Sequence, residues 1–187
     1  MVANLNYVSP EEYLALERKA EFKSEYVDGV IYAMAGGSRS HHLLAGNMLT
    51  ALNIELRHTS CEVYGSDLKV HAPASGKFFY PDVTVGCGKL EFLDDKKDAL
   101  LNPVLLIEVL SESTSAYDRG KKFQYYQEIE SFREYLLVSQ DEPIIERFVR
   151  QPGRDWLYTK FEGLDAAIEL QTVGCRLELK DIYAKVF

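Results

Sequence analysis

Residues 103–122 read PVLLIEVLSESTSAYDRGKK, and the fold turns on how this stretch divides. Val104 to Leu110 form a short apolar run with the length and aliphatic content of a buried strand. From about Ser115 to Ile129 apolar residues recur at helical spacing, and EYLLVS at 134–139 reads as a strand again. A strand–helix–strand step of this kind favours parallel placement of the two strands and a right-handed crossover. One residue does not belong in the first strand. Glu108 stands between Ile107 and Val109, and a carboxylate taken out of water without a partner costs several kcal/mol or more.

The same question arises in YPDVTVG, residues 80–86, where Asp82 interrupts what reads as a buried strand. Taken alone, Asp82 has an ordinary alternative as a strand-end acid satisfied by backbone. Taken with Glu108, 26 positions later, it suggests two adjacent strands bringing both carboxylates to one end of a sheet. Paired carboxylates without a neighbouring His or Cys suit Mg²⁺ or Mn²⁺ rather than zinc, because hard cations prefer hard oxygen ligands. The helix after Glu108 adds a cation. At about 100° per residue from Asp118, Lys122 lies near 40°, within a face shared by Tyr126, Phe123 and Ile129. Lys121, near 300°, falls with Gln124 and Glu128 on the face that should meet water. The ordinary reading of Lys122 is a side chain snorkelling at a helix start; the functional one directs its ammonium toward the two acids. Asp118 also reads two ways, as a cap partner of Ser115 or as support for Lys122.

Working outward, Ser9, Pro10 and Glu12 carry the signature of a capped helix start. Asp28-Gly29 between two runs of β-formers marks a hairpin, with Glu25 on its first arm. Leu44, Met48, Ala51, Leu52 and Leu56 give a long amphipathic helix from Ser38 to about His58. Strand candidates follow around CEVYGSDLKVHA, FYPDVTVG and PVLLIEVL, and strands dominate the C-terminal third. The expected architecture is α/β, a mixed β-sheet flanked by helices, in a single domain over 1–187.

Composition sets bounds on function. With 29 acids against 21 Lys plus Arg, the formal net charge of -8 argues against a broad non-specific nucleic-acid binder. A narrow cleft with a metal ion and local cations remains open. No apolar run approaches the roughly 20 residues that span a bilayer, and MVANLNYVSPEEY lacks the basic start and apolar core of a secretory signal, so a cytoplasmic protein is expected. Cys61, Cys87 and Cys175 lack Cys-x-x-Cys spacing and read as small buried hydrophobes rather than a disulfide or zinc site. His41 and His42, at a helix start, read as surface residues, with the alternative that the fold brings one of them near phosphate. Ser111, Ser113 and Thr114 read either as phosphate-binding groups or as ordinary helix-start residues. Exposed-prone aromatics in the strand-rich C-terminal third and an otherwise unpaired sheet edge suggest a homodimer.

Pro81-Asp82, Glu108 in LLIEVLS and the continuation SESTSAYDRGKKFQYY, with EYVDGVIYAMAG before and EYLLVS after, together resemble the PD-(D/E)XK nuclease superfamily and, within it, the Uma-two family of restriction-endonuclease-like proteins. The similarity runs over roughly residues 10–150. It implies a restriction-endonuclease-like fold and metal-dependent endonuclease chemistry on nucleic acid, DNA rather than RNA, with Asp82 and Glu108 holding Mg²⁺ or Mn²⁺. The superfamily's lysine ordinarily follows the second acid by two positions, where this chain has Leu110. The resemblance places that lysine at Lys122, four residues after Asp118, and offers Glu25 as an acid that completes the metal shell. The competing expectation is a catalytically silent interaction or regulatory module on the same fold.

Overall fold

The computed structural model describes residues 7–74 and 76–187. Its first elements follow their sequence signals closely. Helix α1, Pro10–Glu17, opens on a capping box in which Ser9 Oγ accepts from the Glu12 N–H and Glu12 accepts from the Ser9 N–H. Strands β1, Ser24–Val27, and β2, Val30–Ala33, pair antiparallel around Asp28 and Gly29. Both turn residues have positive φ, 50° and 86°, as a two-residue primed turn requires. At Gly29 a Cβ would also fall 2.2 Å from the Tyr7 ring. Helix α2, Arg39–Leu56, starts from the N-cap Ser38 and buries Leu44, Met48, Leu52 and Leu56.

The central strands are β3 Cys61–Gly65, β4 Lys69–Ala72, β5 Lys77–Phe79, β6 Val83–Cys87, β7 Ala99–Leu100 and β8 Leu105–Val109. Helix α3 begins at Ser115–Tyr117, widens through a π turn at Asp118–Lys122 and ends at Phe123–Gln127. After it come β9 Glu134–Val138, β10 Ile144–Arg150, β11 Trp156–Glu162, β12 Ala167–Leu170, β13 Cys175–Glu178 and the short helix α4, Leu179–Ile182. The class is α/β and the C-terminal third is strand-rich. The strands form a five-stranded sheet in the order β2-β1-β5-β4-β7, a six-stranded sheet in the order β11-β10-β9-β8-β6-β3, and a β12-β13 pair. β8 and β9 run parallel across α3, with Glu108 aligned on Leu137. One further parallel pair joins β4 to the short β7.

Alternation along β8 decides what each face of the six-stranded sheet touches. Leu105, Ile107 and Val109 join Leu44, Met48 and Leu52 of α2, with Ile168, Leu177 and Ile182, in one core. Leu106 and Leu110 join Phe123, Tyr126, Phe132 and Tyr135 in another, which also takes Val70 and Phe79 from the five-stranded sheet. α1 covers the remaining side of that second sheet through Tyr13, Leu14, Tyr26 and Phe78. Glu108 therefore projects to the α3 side of its sheet.

Several sequence expectations change. FYPDVTVG is not one strand: β5 lies in the five-stranded sheet and β6 in the six-stranded one, so Tyr80-Pro81-Asp82 crosses between them. Proline has no N–H for a ladder, which suits the crossing. CEVYGSDLKVHA likewise splits at a turn into β3 and β4, in different sheets. The helix expected to reach Ile129 ends at Gln127. Cys61 and Cys87 are not isolated hydrophobes. They are cross-strand partners on β3 and β6, and a disulfide joins them. A separation of 26 residues gave no motif, because strand register brings them together. Cys175 does fit the hydrophobe reading, buried against the first core. Among the described residues no helix is long and apolar enough to cross a membrane.

Thiol titration checks the cysteine assignment. In denaturant without reductant one thiol per chain, Cys175, should react, and three should react after reduction. Three reactive thiols before reduction would overturn the Cys61–Cys87 pairing.

Candidate active site

The sheet crossing sets the first acid beside the second. β6 pairs with β8 antiparallel, Val83 facing Ile107, so one step further along this register Asp82 stands opposite Glu108. Asp82 Oδ2 accepts the Val109 N–H at 2.8 Å, tying the acid to the end of β8. Its other oxygen, Oδ1, is 2.8 Å from His41 Nε2 at the start of α2. Both oxygens are thus engaged.

Glu108 is 4% exposed, and Oε1 accepts two donors. Tyr126 Oη donates at 2.7 Å and Lys122 Nζ at 2.9 Å. Lys122, 5% exposed, lies in the π turn, a feature frequent at functional sites. Its ammonium also reaches Glu25 Oε1 at 3.0 Å and Asp118 Oδ1 at 3.7 Å. Glu25 arrives from β1 and is fixed by the Tyr80 N–H, which donates to the same Oε1 at 3.2 Å. One ammonium therefore gathers carboxylates from β1, β8 and α3.

The structure thus brings Glu25, Glu108, Asp118 and Lys122 into direct contact, and sets Asp82 beside them through the β6–β8 register. Lys121, by contrast, is exposed. Glu25 is buried. Asp118 is 3% exposed and faces Lys122. The residue before α3 is Thr114 rather than Ser115, and a side-chain hydrogen bond with Thr114 lowers Asp118 against the effect of burial. Ser111, Ser113 and Thr114 hydrogen-bond to one another in a local turn.

Two residues escaped the sequence reading. His41 is half-buried on Asp82 rather than a surface residue, which corrects the expectation that no histidine stands near the acids. A polar residue in the first turn of a capped helix was its only signal. Tyr126 belonged to the apolar face, and nothing in the spacing disclosed that its hydroxyl meets Glu108.

Burial shapes the electrostatics. Desolvation pushes the Glu108 carboxyl well above its ordinary range; Lys122 opposes this, but Asp118, Asp82 and Glu25 add to the rise. Burial alone would lower Lys122, yet Glu108, Glu25 and Asp118 override it and hold the amine well above its ordinary value. The lysine keeps its proton while the acids around it resist ionising together. Asp118 is raised by burial, against the pull of Lys122. The hydrogen bond to Asp82 raises His41.

The acids supply oxygen ligands of the hard type. Asp82, Glu108 and Glu25 offer carboxylate oxygens, and Mg²⁺ commonly takes only one or two of these, with water and phosphate completing its shell. Among the described residues, no group of three or more His, Cys, Asp or Glu side chains is disposed to hold a metal ion. The ammonium of Lys122 stands between Glu25 and Glu108 instead.

An acid at a sheet crossing, a second on the adjoining strand and a buried lysine from the next helix sit here on a restriction-endonuclease-like fold. The chain belongs to the Uma2 family, whose model, described as "Putative restriction endonuclease", matches residues 10–180. Two proteins of a Synechocystis strain are close in sequence. "Uncharacterized protein slr1290" is 37% identical over 94% of this chain and 91% of its own length. "Uncharacterized protein sll1609" is 36% identical over 90% and 96%. A crystal structure from Anabaena variabilis, described as "a putative nuclease belonging to DUF820", superposes with a TM-score of 0.77 at 18% identity, covering 96% of this chain and 99% of that one. That match carries the fold.

The two perturbed histidines give a check by NMR. His41 should titrate above the ordinary 6.5, through its bond to Asp82, and His71, buried on β4, below it. The His41 contribution to stability should be complete below the unfolded value near 6.5 and be lost as pH rises through the folded value. Asp82→Asn should return His41 toward 6.5. An unchanged His41 titration in that variant would show that the pair does not form in solution.

Proposed function

We propose that this chain is a metal-dependent endonuclease that hydrolyses phosphodiester bonds, with DNA as the substrate and Mg²⁺ or Mn²⁺ as cofactor. The observation that carries the reading is the buried Lys122–Glu108 pair, 2.9 Å between charges, in register with Asp82. Structural needs alone rarely retain such a pair, since apolar replacements of similar volume are often neutral or stabilising. Membership in the family adds the reaction class.

In this reading Asp82 and Glu108 are the residues that hold the ion, with Glu25 and Asp118 in support. When bound, the ion polarises a phosphoryl oxygen and lowers the pKa of a water. The protein's own groups do the rest. Tyr126 and His41 fix the two acids, and the crossing at Pro81 keeps Asp82 at the sheet end. The Lys122 ammonium stabilises negative charge as it grows on the phosphate, or orients the attacking water. Water oxygen bonds to phosphorus as the phosphorus–oxygen bond to one sugar breaks. The water gives up a proton and the departing oxygen gains one, so no covalent link to the protein is needed.

An alternative, a silent interaction module, draws on the net charge of -8, which opposes approach to a polyanion. We also propose that the chain acts as a homodimer. β2 is a sheet edge whose residues Val30–Ala33 are apolar, with Ile31 and Tyr32 exposed and no edge-guarding charge or proline. Sedimentation showing only a 21.3 kDa species at tens of micromolar protein would exclude this.

The adjacent lysines separate the nuclease from the silent module. On single-stranded, duplex and branched DNA with Mn²⁺, Lys122→Ala should lose activity by about 10²-fold or more, the scale of removing one transition-state donor. Lys121→Ala should keep most activity, because its side chain lies on the exposed face of α3. Circular dichroism should confirm folding of both. Equal losses would remove Lys122 from the reaction, and no cleavage by the unmodified protein on any substrate would favour the silent module.

A further inference from the structure

The Lys122 ammonium occupies the space in which its carboxylates converge. A carboxylate oxygen accepts about two donors in good geometry. Glu108 Oε1 has two, Tyr126 Oη at 2.7 Å and Lys122 Nζ at 2.9 Å. Glu25 Oε1 also has two, the Tyr80 N–H at 3.2 Å and Lys122 Nζ at 3.0 Å. The oxygens turned toward the lysine are therefore filled. Tyr126 is fully buried and the Tyr80 donor is main chain, so Lys122, on its flexible four-carbon stem, is the donor most able to leave. An arriving divalent cation would also meet the repulsion of a buried positive charge within a few ångströms.

We infer that Lys122 is the resident cation of this site and that a divalent ion binds Glu108 in competition with it, displacing the ammonium from Glu25 and Glu108 as the ion enters. The inference rests on the proposed nuclease reading and concerns the regulation of that site. Exchange of one cation for the other holds the acids together before loading. It also links loading to release of the lysine, whose ammonium then becomes free to meet a phosphate. Asp118, 3.7 Å away and one helical step back, remains beside the amine after the other two contacts break. A lysine held by acids from three elements is thereby inactive until an ion arrives.

Two measurements test the exchange. The first is calorimetric titration of Mn²⁺ and of Mg²⁺ at pH 8 into the unmodified protein and into Lys122→Met, which keeps the length of the chain without its charge. Competition predicts that Lys122→Met binds about tenfold more tightly or better, the scale on which one neighbouring charge shifts an ionisation. Equal or weaker binding by the variant, with the unmodified protein binding normally, would overturn the competition and leave the nuclease reading standing. No binding by either would overturn both. The second measurement needs no variant. Acetylation of the unmodified protein, read residue by residue by mass spectrometry, should speed up at Lys122 when Mg²⁺ is added, while Lys121, already exposed, serves as the internal reference. Unchanged or slower labelling of Lys122 relative to Lys121 would overturn the displacement.

Discussion

Burying a carboxylate in a dry strand is the constraint around which the molecule is arranged. Glu108 cannot ionise inside the six-stranded sheet without a cation, and the cation is supplied by α3, which the chain must form before it returns as β9. Breaking such a pair by removing one partner costs about 3–5 kcal/mol, a large part of a domain's total stability. The same ammonium reaches back to Glu25 on β1. Elements far apart in sequence are thereby held at one point, and the chemistry proposed for the site uses the contacts that hold it.

Tyr80-Pro81-Asp82 is the seam of the structure. The Tyr80 N–H holds Glu25, while its hydroxyl donates to Glu17 of α1 at 2.9 Å. Glu17 in turn accepts the Ser24 N–H, and Lys69 lies 3.4 Å from the Tyr80 hydroxyl and 3.1 Å from Asp98. Arg18 closes the chain of contacts with two hydrogen bonds to Asp98. Two residues beyond Tyr80, Asp82 enters the other sheet. Polar contacts on one side of the seam therefore position an acid on the other, through a backbone that proline keeps out of either ladder.

Much of this was legible in the sequence because it is local. Ser9 and Ser38 mark helix starts, Asp28-Gly29 marks a primed turn, and the spacing of Asp118, Lys122 and Tyr126 survives the π turn as one buried face. What escaped depends on register or on a second element. His41 and Asp82 are 41 residues apart in sequence, and no periodicity in α2 shows that its first turn meets the seam. Cys61 and Cys87 are neighbours only because β3 and β6 align as they do. Asp82 misled by composition: its β-forming neighbours suggested continuity, whereas the strand had to break for the chain to change sheets. Tyr126 shows a further limit, since an aromatic ring can satisfy the apolar pattern while its hydroxyl serves a buried acid.

The acidic composition opposes a nuclease reading only while its charge is unlocated. Glu25, Asp82, Glu108 and Asp118 contribute four formal negative charges at one place, and Lys122 returns one, leaving three when His41 is neutral and two when it is protonated. Burial pushes the Glu108 and Asp118 carboxyls upward, and the Lys122 ammonium opposes this at both. A phosphodiester entering such a site would still be repelled. In the proposed reading a divalent ion would offset two of those charges, leaving one when His41 is neutral and none when it is protonated, and would free the lysine toward the substrate, while the whole chain keeps its net charge of -8. In that reading the long-range repulsion would weaken non-specific association along a nucleic acid and leave binding to those segments that fit the loaded site.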